Sequence, residues 1–340
     1  MNYLHFDKPF TTESGETLPG LTIAYDTYGE LNAEKNNVVW VCHALTSNSA
    51  VTEWWAGVVG PNSAIDPAKY FVICANIIGS CYGSIGPTTV NPATGKPYYN
   101  RFPMVTIRDM VKAHILLRQH LGIENIFLAM AGSMGGYQVL EWAVMEKERI
   151  EHLFLITTST AETAWGIAIH TAQRLAIEAD ATWTNESLDA GKNGLKAARA
   201  IGLLTYRNYK ILVEKQSDKD ADKLDNFKAS SYINYQGDKL VNRFNTQSYW
   251  LLTKAMDSHN LARGRNKTLA EVLQTISQKT LIMGITSDLL CPTDEQKFMA
   301  ANLQNATYIE IDSSYGHDGF LIEGEKISKH LSEWLDSVKQ

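Results

Sequence analysis

The chain has 340 residues, of which 44% are hydrophobic and 20% charged, with a formal net charge of -6. That length fits one large domain with an insertion, or two domains, and the composition is that of a globular protein rather than a disordered one. The acidic balance excludes a general nucleic-acid binder, which needs a basic field to displace counterions.

The opening stretch MNYLHFDKPFTTESGETLPG carries acids early and lacks an apolar core segment, so it does not read as a secretory signal. No apolar run approaches the length of a membrane span, and cytoplasmic residence with no membrane partner is the expectation. Next, LTIAYDTYGEL alternates like a half-exposed strand, while NVVWVCHAL and YFVICANII read as buried strands. The loop GSCYGSIG from Gly79 lacks the Lys-Ser/Thr ending of a phosphate-binding P-loop. TIRDMVKAHILLRQHLGI is an amphipathic helix closed by Gly122.

The run Ile126 to Met130 then reads as a buried strand, and Tyr137, Leu140, Glu141 and Val144 recur at helical spacing. Ser133 stands at the corner between them. Small neighbours, Ala131, Gly132, Gly135 and Gly136, permit the strained turn that exposes such a serine. Another strand, HLFLITTST, follows.

From about Thr160 to Ala270 the text turns helical and polar, in AIHTAQRLAIEAD, GLKAARAIGLLTYRNYK and RFNTQSYWLLTKAMDSH, with EKQSDKDADKLDNF as a solvated loop or helix end. The strand and helix rhythm returns with KTLIMGI, a helix from about Thr293, the strand ATYIEI and a closing helix EKISKHLSEWLDSV. The expected architecture is α/β, a mostly parallel sheet with helices on both faces. Its core comprises residues 1–159 and 271–340, and residues 160–270 form an inserted helical cap. The four cysteines, Cys42, Cys74, Cys81 and Cys291, have neither zinc-ligand nor disulfide-framework spacing and read as small core or loop residues; no metal or resident cofactor is expected.

A serine hydroxyl needs a base to act as a nucleophile at neutral pH, and that base needs an orienting partner. In an α/β sheet such groups gather at the carboxyl ends of strands. TSDLLCPTDE, after one strand, offers Asp288, and DSSYGHDGF, after the next, offers His317. The order Ser133, Asp288, His317 is that of the α/β-hydrolase fold, which is therefore the expected fold class. Asp294, within the next helix, and Asp312, at its strand end, are weaker orienters. The loop CHALTSNS after the first buried strand would supply the Leu45 N–H to an oxyanion hole, with the Met134 N–H as the second donor; His43 reads as a hydrogen-bonded structural residue. His114, His120 and His152 read as structural, and His170 and His259 lie in the cap without an assigned role.

These residues, with NIIGSCYGSIGP, NPATGKPYYNRFP, GSMGGYQVLEWA, GLKAARAIGLLTYR, SYINYQGDKLVNRF, SYWLLTKAMDSH, GITSDLLCP and YGHDGFLIE, resemble the homoserine O-acetyltransferases of methionine biosynthesis over most of the chain. The resemblance implies acetyl transfer from acetyl-CoA, as co-substrate, through an acyl-Ser133 to the homoserine hydroxyl. It also implies a homodimer formed through the cap, Arg199 for the acceptor carboxylate, Asp318 for its ammonium, and Tyr206 nearby. Succinyl-CoA as donor, serine as acceptor, a plain esterase and a non-enzymatic relative remain alternatives. Departures from the family pattern are Ala131 where Gly is usual, the loss of a Pro and a Gly-x-Tyr around Trp183, and Asn245 and Asn260 where Asp is usual.

Overall fold

In the computed structural model, which describes residues 1–338, every residue of the strand Val38–Cys42 is buried because both faces of that strand are covered. Val38, Trp40 and Cys42 face one apolar core and Val39 and Val41 the other. This explains why the sequence there is apolar at each position instead of alternating. Each such fully buried aliphatic side chain stabilises the fold by about 1.5–3 kcal/mol.

Eight strands form the main sheet: β1 (Asn2–Phe6), β2 (Leu21–Tyr28), β3 (Val38–Cys42), β4 (Phe71–Ala75), β5 (Ile126–Gly132), β6 (Ile150–Ile156), β7 (Lys279–Ile285) and β8 (Ala306–Ile311). Their spatial order is β1-β2-β4-β3-β5-β6-β7-β8. β1 pairs antiparallel with β2 and β2 antiparallel with β4; the remaining neighbours are parallel. The residues therefore adopt the expected α/β-hydrolase architecture.

The parallel strands are connected over both faces. Helices α1 (Ile107–His120) and α2 (Met134–Met145) bury Met110, Leu117, Leu140 and Trp142 on the Trp40 side. Thr106 and Asp109 close a reciprocal capping box at the start of α1, satisfying donors the helix itself cannot. Between β6 and β7 run the helices α3 (Ala164–Glu178), α4 (Lys192–Tyr206), α5 (Tyr209–Gln216), α6 (Lys228–Val241), α7 (Thr246–Asp257) and α8 (Leu269–Leu273). After β7 come α9 (Thr293–Asn302) and, closing the chain, α10 (Gly324–Val338), whose Ile327, Leu331 and Trp334 seal the second face.

Three local details differ from the sequence reading. The N-terminal residues form the edge strand β1, although Tyr3 and His5 point to solvent. The fourth strand stops at Ala75, and just past it the Asn76 side chain accepts from the Ser49 N–H (2.8 Å) and donates to the Tyr82 carbonyl (2.7 Å). The helical run ending in LLTYRNYK is two helices, since Arg207 is extended and Asn208 caps a new start. No helix among the described residues is long and apolar enough to cross a membrane.

Candidate active site

Ser133 links β5 directly to α2 with φ 55° and ψ -132°. That conformation costs a non-glycine residue on the order of 1–3 kcal/mol, so its surroundings must impose it. They do so by close packing. A Cβ on Gly135 would run into the Cys42 carbonyl oxygen, and one on Gly136 into the Thr158 side chain. Ala131 lies within β5 with no positive φ, so alanine is accommodated where the family has glycine.

The three strand-end loops converge. His317 Nε2 lies 2.9 Å from Ser133 Oγ, and its Nδ1 lies 2.8 Å from Asp288 Oδ2. The other carboxylate oxygen, Asp288 Oδ1, accepts from the N–H groups of Leu290 (2.8 Å) and Cys291 (2.9 Å), which fixes its plane. Asp294 opens α9, and Asp312 accepts from Thr286 Oγ1, so neither competes for the histidine.

All three groups are buried. Burial disfavours the His317 imidazolium, but the charge and hydrogen bond of Asp288, with Asp318 and Glu162 beyond, outweigh it and raise the pKa above the usual histidine value. With Asp288 holding the Nδ1 proton, Nε2 presents a lone pair to the serine hydroxyl, the arrangement needed for general-base removal of its proton. The buried Cys291 thiol, raised well above its ordinary pKa by desolvation, lies with Asp288 and His317 in a set of ligand atoms within 4.8 Å of one another. A cation could bind these atoms only by taking Nδ1 from its carboxylate.

A cavity of about 580 Å³ opens over Ser133 and His317 and is lined also by Leu45, His170, Arg199, Tyr206, Arg243 and Asp318. Met134 opens α2, so its N–H has no partner within the helix. The Leu45 N–H has no acceptor among the described residues. Arg199 stacks its guanidinium 5.5 Å from the Tyr206 ring centroid, and its Nε is buried without a hydrogen-bond partner among the described residues. The Tyr206 ring lies 6.0 Å from that of His317. Asp318 already faces a cation, Arg207 Nε at 3.3 Å.

Sequence reasoning passed over a second polar group beside this cavity. Glu162, carried just past β6, has its pKa raised by burial and accepts from the Tyr137 hydroxyl (3.0 Å). His170 Nδ1 is 2.8 Å from Asp257, whose other oxygen takes Arg174 at 2.5 Å. The signal for Glu162 was its place after a strand's carboxyl end; His170 offered only a lone histidine on an apolar helix. The departures between β6 and β7 are accommodated locally. Asn245 caps α7 by accepting from the Ser248 N–H (3.0 Å), Asn260 accepts from the Ala262 N–H (2.9 Å), and Trp183 packs near Trp250 with ring centroids 6.0 Å apart.

Residues 37–323 match the family model described as alpha/beta hydrolase fold. The chain is 47% identical to the homoserine O-acetyltransferase of Cyclobacterium marinum, over 95% of this chain and 91% of that protein. Among solved structures, the homoserine O-acetyltransferase from Bacillus anthracis superposes with a TM-score of 0.89 at 25% identity, covering 98% of this chain and 96% of that one. Esterase E22 superposes equally well, with a TM-score of 0.89 at 22% identity over 98% and 99% of the two chains, a likeness of fold alone. Fold likeness thus spans transferases and esterases, whereas nearly half of all positions are shared with a transferase across almost the whole length: the chain belongs to the homoserine O-acetyltransferase family, within the alpha/beta hydrolases.

Proposed function

We infer that the protein is a homoserine O-acetyltransferase that works through an acetyl-Ser133 intermediate. The observation that carries this reading is His317, hydrogen-bonded at once to Ser133 and Asp288, in a cavity that also holds the Arg199 guanidinium. In the first half-reaction His317 takes the Ser133 proton as the oxygen attacks the thioester carbonyl of acetyl-CoA. The carbonyl oxygen becomes an oxyanion facing the Leu45 and Met134 N–H groups; the C–S bond then breaks and His317 returns the proton to the departing thiolate. In the second, His317 deprotonates the homoserine hydroxyl, which attacks the seryl ester, and the proton returns to Ser133.

Acceptor recognition is assigned to Arg199 and Asp318. An unpaired guanidinium matches a carboxylate bidentately. The cap, residues 160–270, is assigned the task of keeping water from the acyl-enzyme while homoserine enters. Lys239 and Arg243, also on the cavity wall, favour a polyanionic donor such as acetyl-CoA. A cytoplasmic location goes with that donor and with four free thiols.

The test is a product assay with acetyl-CoA, succinyl-CoA, homoserine and serine, read by mass. O-acetylhomoserine should dominate, and thiol release beyond one equivalent per chain should depend on homoserine. Continued release that ignores homoserine would identify a hydrolase instead. Arg199→Ala should raise KM for homoserine about 100-fold while leaving acetylation of Ser133 within a few-fold; equal loss in both half-reactions would remove Arg199 from acceptor binding.

A homodimer through the cap belongs to the same reading. Trp165, Leu175, Leu204, Tyr209, Leu224 and Tyr235, all in the cap, are exposed large hydrophobic side chains. Sedimentation should give a species near twice the 37.9 kDa chain mass, and a monomer at micromolar concentration would refute it.

A further inference from the structure

The peptide joining Ala44 to Leu45 is gripped at its carbonyl end. The Ala44 oxygen lies 2.8 Å from His43 Nδ1 and accepts from the Ser47 N–H at 3.0 Å. His43 Nε2 accepts from the Ile77 N–H at 3.2 Å. A backbone N–H can only donate, so Nε2 carries the lone pair and Nδ1 the proton, which makes Nδ1 the donor to Ala44. In a trans peptide the carbonyl and the N–H point in opposite directions. Holding the Ala44 oxygen on His43 and Ser47 therefore aims the Leu45 N–H the opposite way, and Leu45 lines the cavity together with Ser133.

We propose that His43 is a positioning residue for the oxyanion-binding peptide, its Nδ1–H setting the direction of the Leu45 donor. This rests on the assignment of Leu45 to the oxyanion hole made above. Two bonds onto one carbonyl also polarise that peptide and strengthen its N–H as a donor. His43 is fully buried, and desolvation pushes its pKa down to about 4, so the ring stays neutral and keeps this tautomer through the working pH range.

The surrounding contacts fix the loop without replacing this bond. Gln138, on the helix that follows Ser133, donates to the His43 carbonyl at 3.3 Å while its oxygen lies 2.9 Å from His114 Nε2. From the cap side Arg243 donates to the Thr46 carbonyl at 2.6 Å and to the Tyr82 hydroxyl at 2.8 Å. The loop is thus tied to the nucleophile helix and to the cap, but only His43 and Ser47 act on the carbonyl whose partner N–H faces the reaction.

The experiment compares His43→Asn with His43→Gln. An asparagine amide nitrogen falls near the place of Nδ1 and preserves the donor, whereas a glutamine amide reaches the place of Nε2, where its oxygen accepts from the Ile77 N–H and the Ala44 carbonyl is left without that donor. Acetylation of Ser133 by acetyl-CoA and by p-nitrophenyl acetate is followed by rapid mixing, with KM, kcat and thermal unfolding measured in parallel. His43→Gln should acetylate about 100-fold more slowly with KM within about three-fold of wild type, and His43→Asn should stay within about ten-fold in rate. If the glutamine variant does not fold, His43→Leu, similar in size to asparagine but without the donor, takes its place and should show the same loss. Equal rates in the donor-keeping and donor-lacking variants, or a loss carried by KM, would overturn the proposal. Wild-type protein that forms no acetyl-Ser133 with either ester would instead refute the acyl-enzyme reading itself.

Discussion

Ser133→Ala is expected to lower acetyl transfer by at least about 10⁴-fold while leaving the thermal unfolding midpoint within a few degrees of wild type. The hydroxyl is the atom that would form the ester, and alanine fits the same corner without new contacts, so chemistry is lost and the fold is kept. Intact mass after incubation with acetyl-CoA should show an added acetyl group on wild type and none on the variant. A variant that still gains the acetyl group would place the nucleophile elsewhere. One that transfers acetyl to homoserine without becoming acetylated would mean direct transfer between the two substrates.

Asp288→Asn should be nearly as damaging, with a loss of about 10⁴-fold, for a reason visible in the hydrogen bonds. The Oδ1 position accepts two backbone N–H groups, from Leu290 and Cys291, so the asparagine oxygen must stay there and its amide nitrogen must face His317. His317 Nδ1 then has to accept, its proton moves to Nε2, and the ring offers Ser133 a donor where a lone pair is needed. The pH profile supplies a second readout. The base works when His317 is neutral, so wild-type acetylation should rise with pH through a pKa above the ordinary histidine value of about 6.5, set there by Asp288 against the effect of burial. In the variant that charge is gone, and any residual rate should titrate at lower pH. A variant with the wild-type profile and rate would show that Asp288 does not orient the base.

The sequence already carried the central sheet, because parallel strands covered on both faces must be apolar at every position, as in Val38 to Cys42. It also carried Ser133, Asp288 and His317, since each directly follows a strand and their chain order leaves little choice. The edge strand Asn2–Phe6 was not legible: only one of its faces packs, and five residues give too short an alternation to separate from loop. The break at Arg207 was hidden because the residues around it suit a helix, while the interruption comes from Asn208 capping the next one. Glu162, His170 and Asp257 were invisible as a group, because their proximity is made by packing between segments nearly a hundred residues apart. The sequence suggested that His43 was hydrogen-bonded but not to which carbonyl, because the turn that brings the Ala44 oxygen back to its own neighbour's ring has no residue signature.

His317 and Ser133, hydrogen-bonded to each other, lie 184 residues apart, with the whole insertion between them. During synthesis the serine corner leaves the ribosome long before the histidine exists, because His317 follows the last strand in chain order. A nascent chain with a finished elbow thus has nothing to deprotonate its hydroxyl, and it gains the means to break a thioester only once the segment that roofs the pocket has also been made. On the proposed mechanism, chain order alone would keep an unfinished copy from squandering acetyl groups on water.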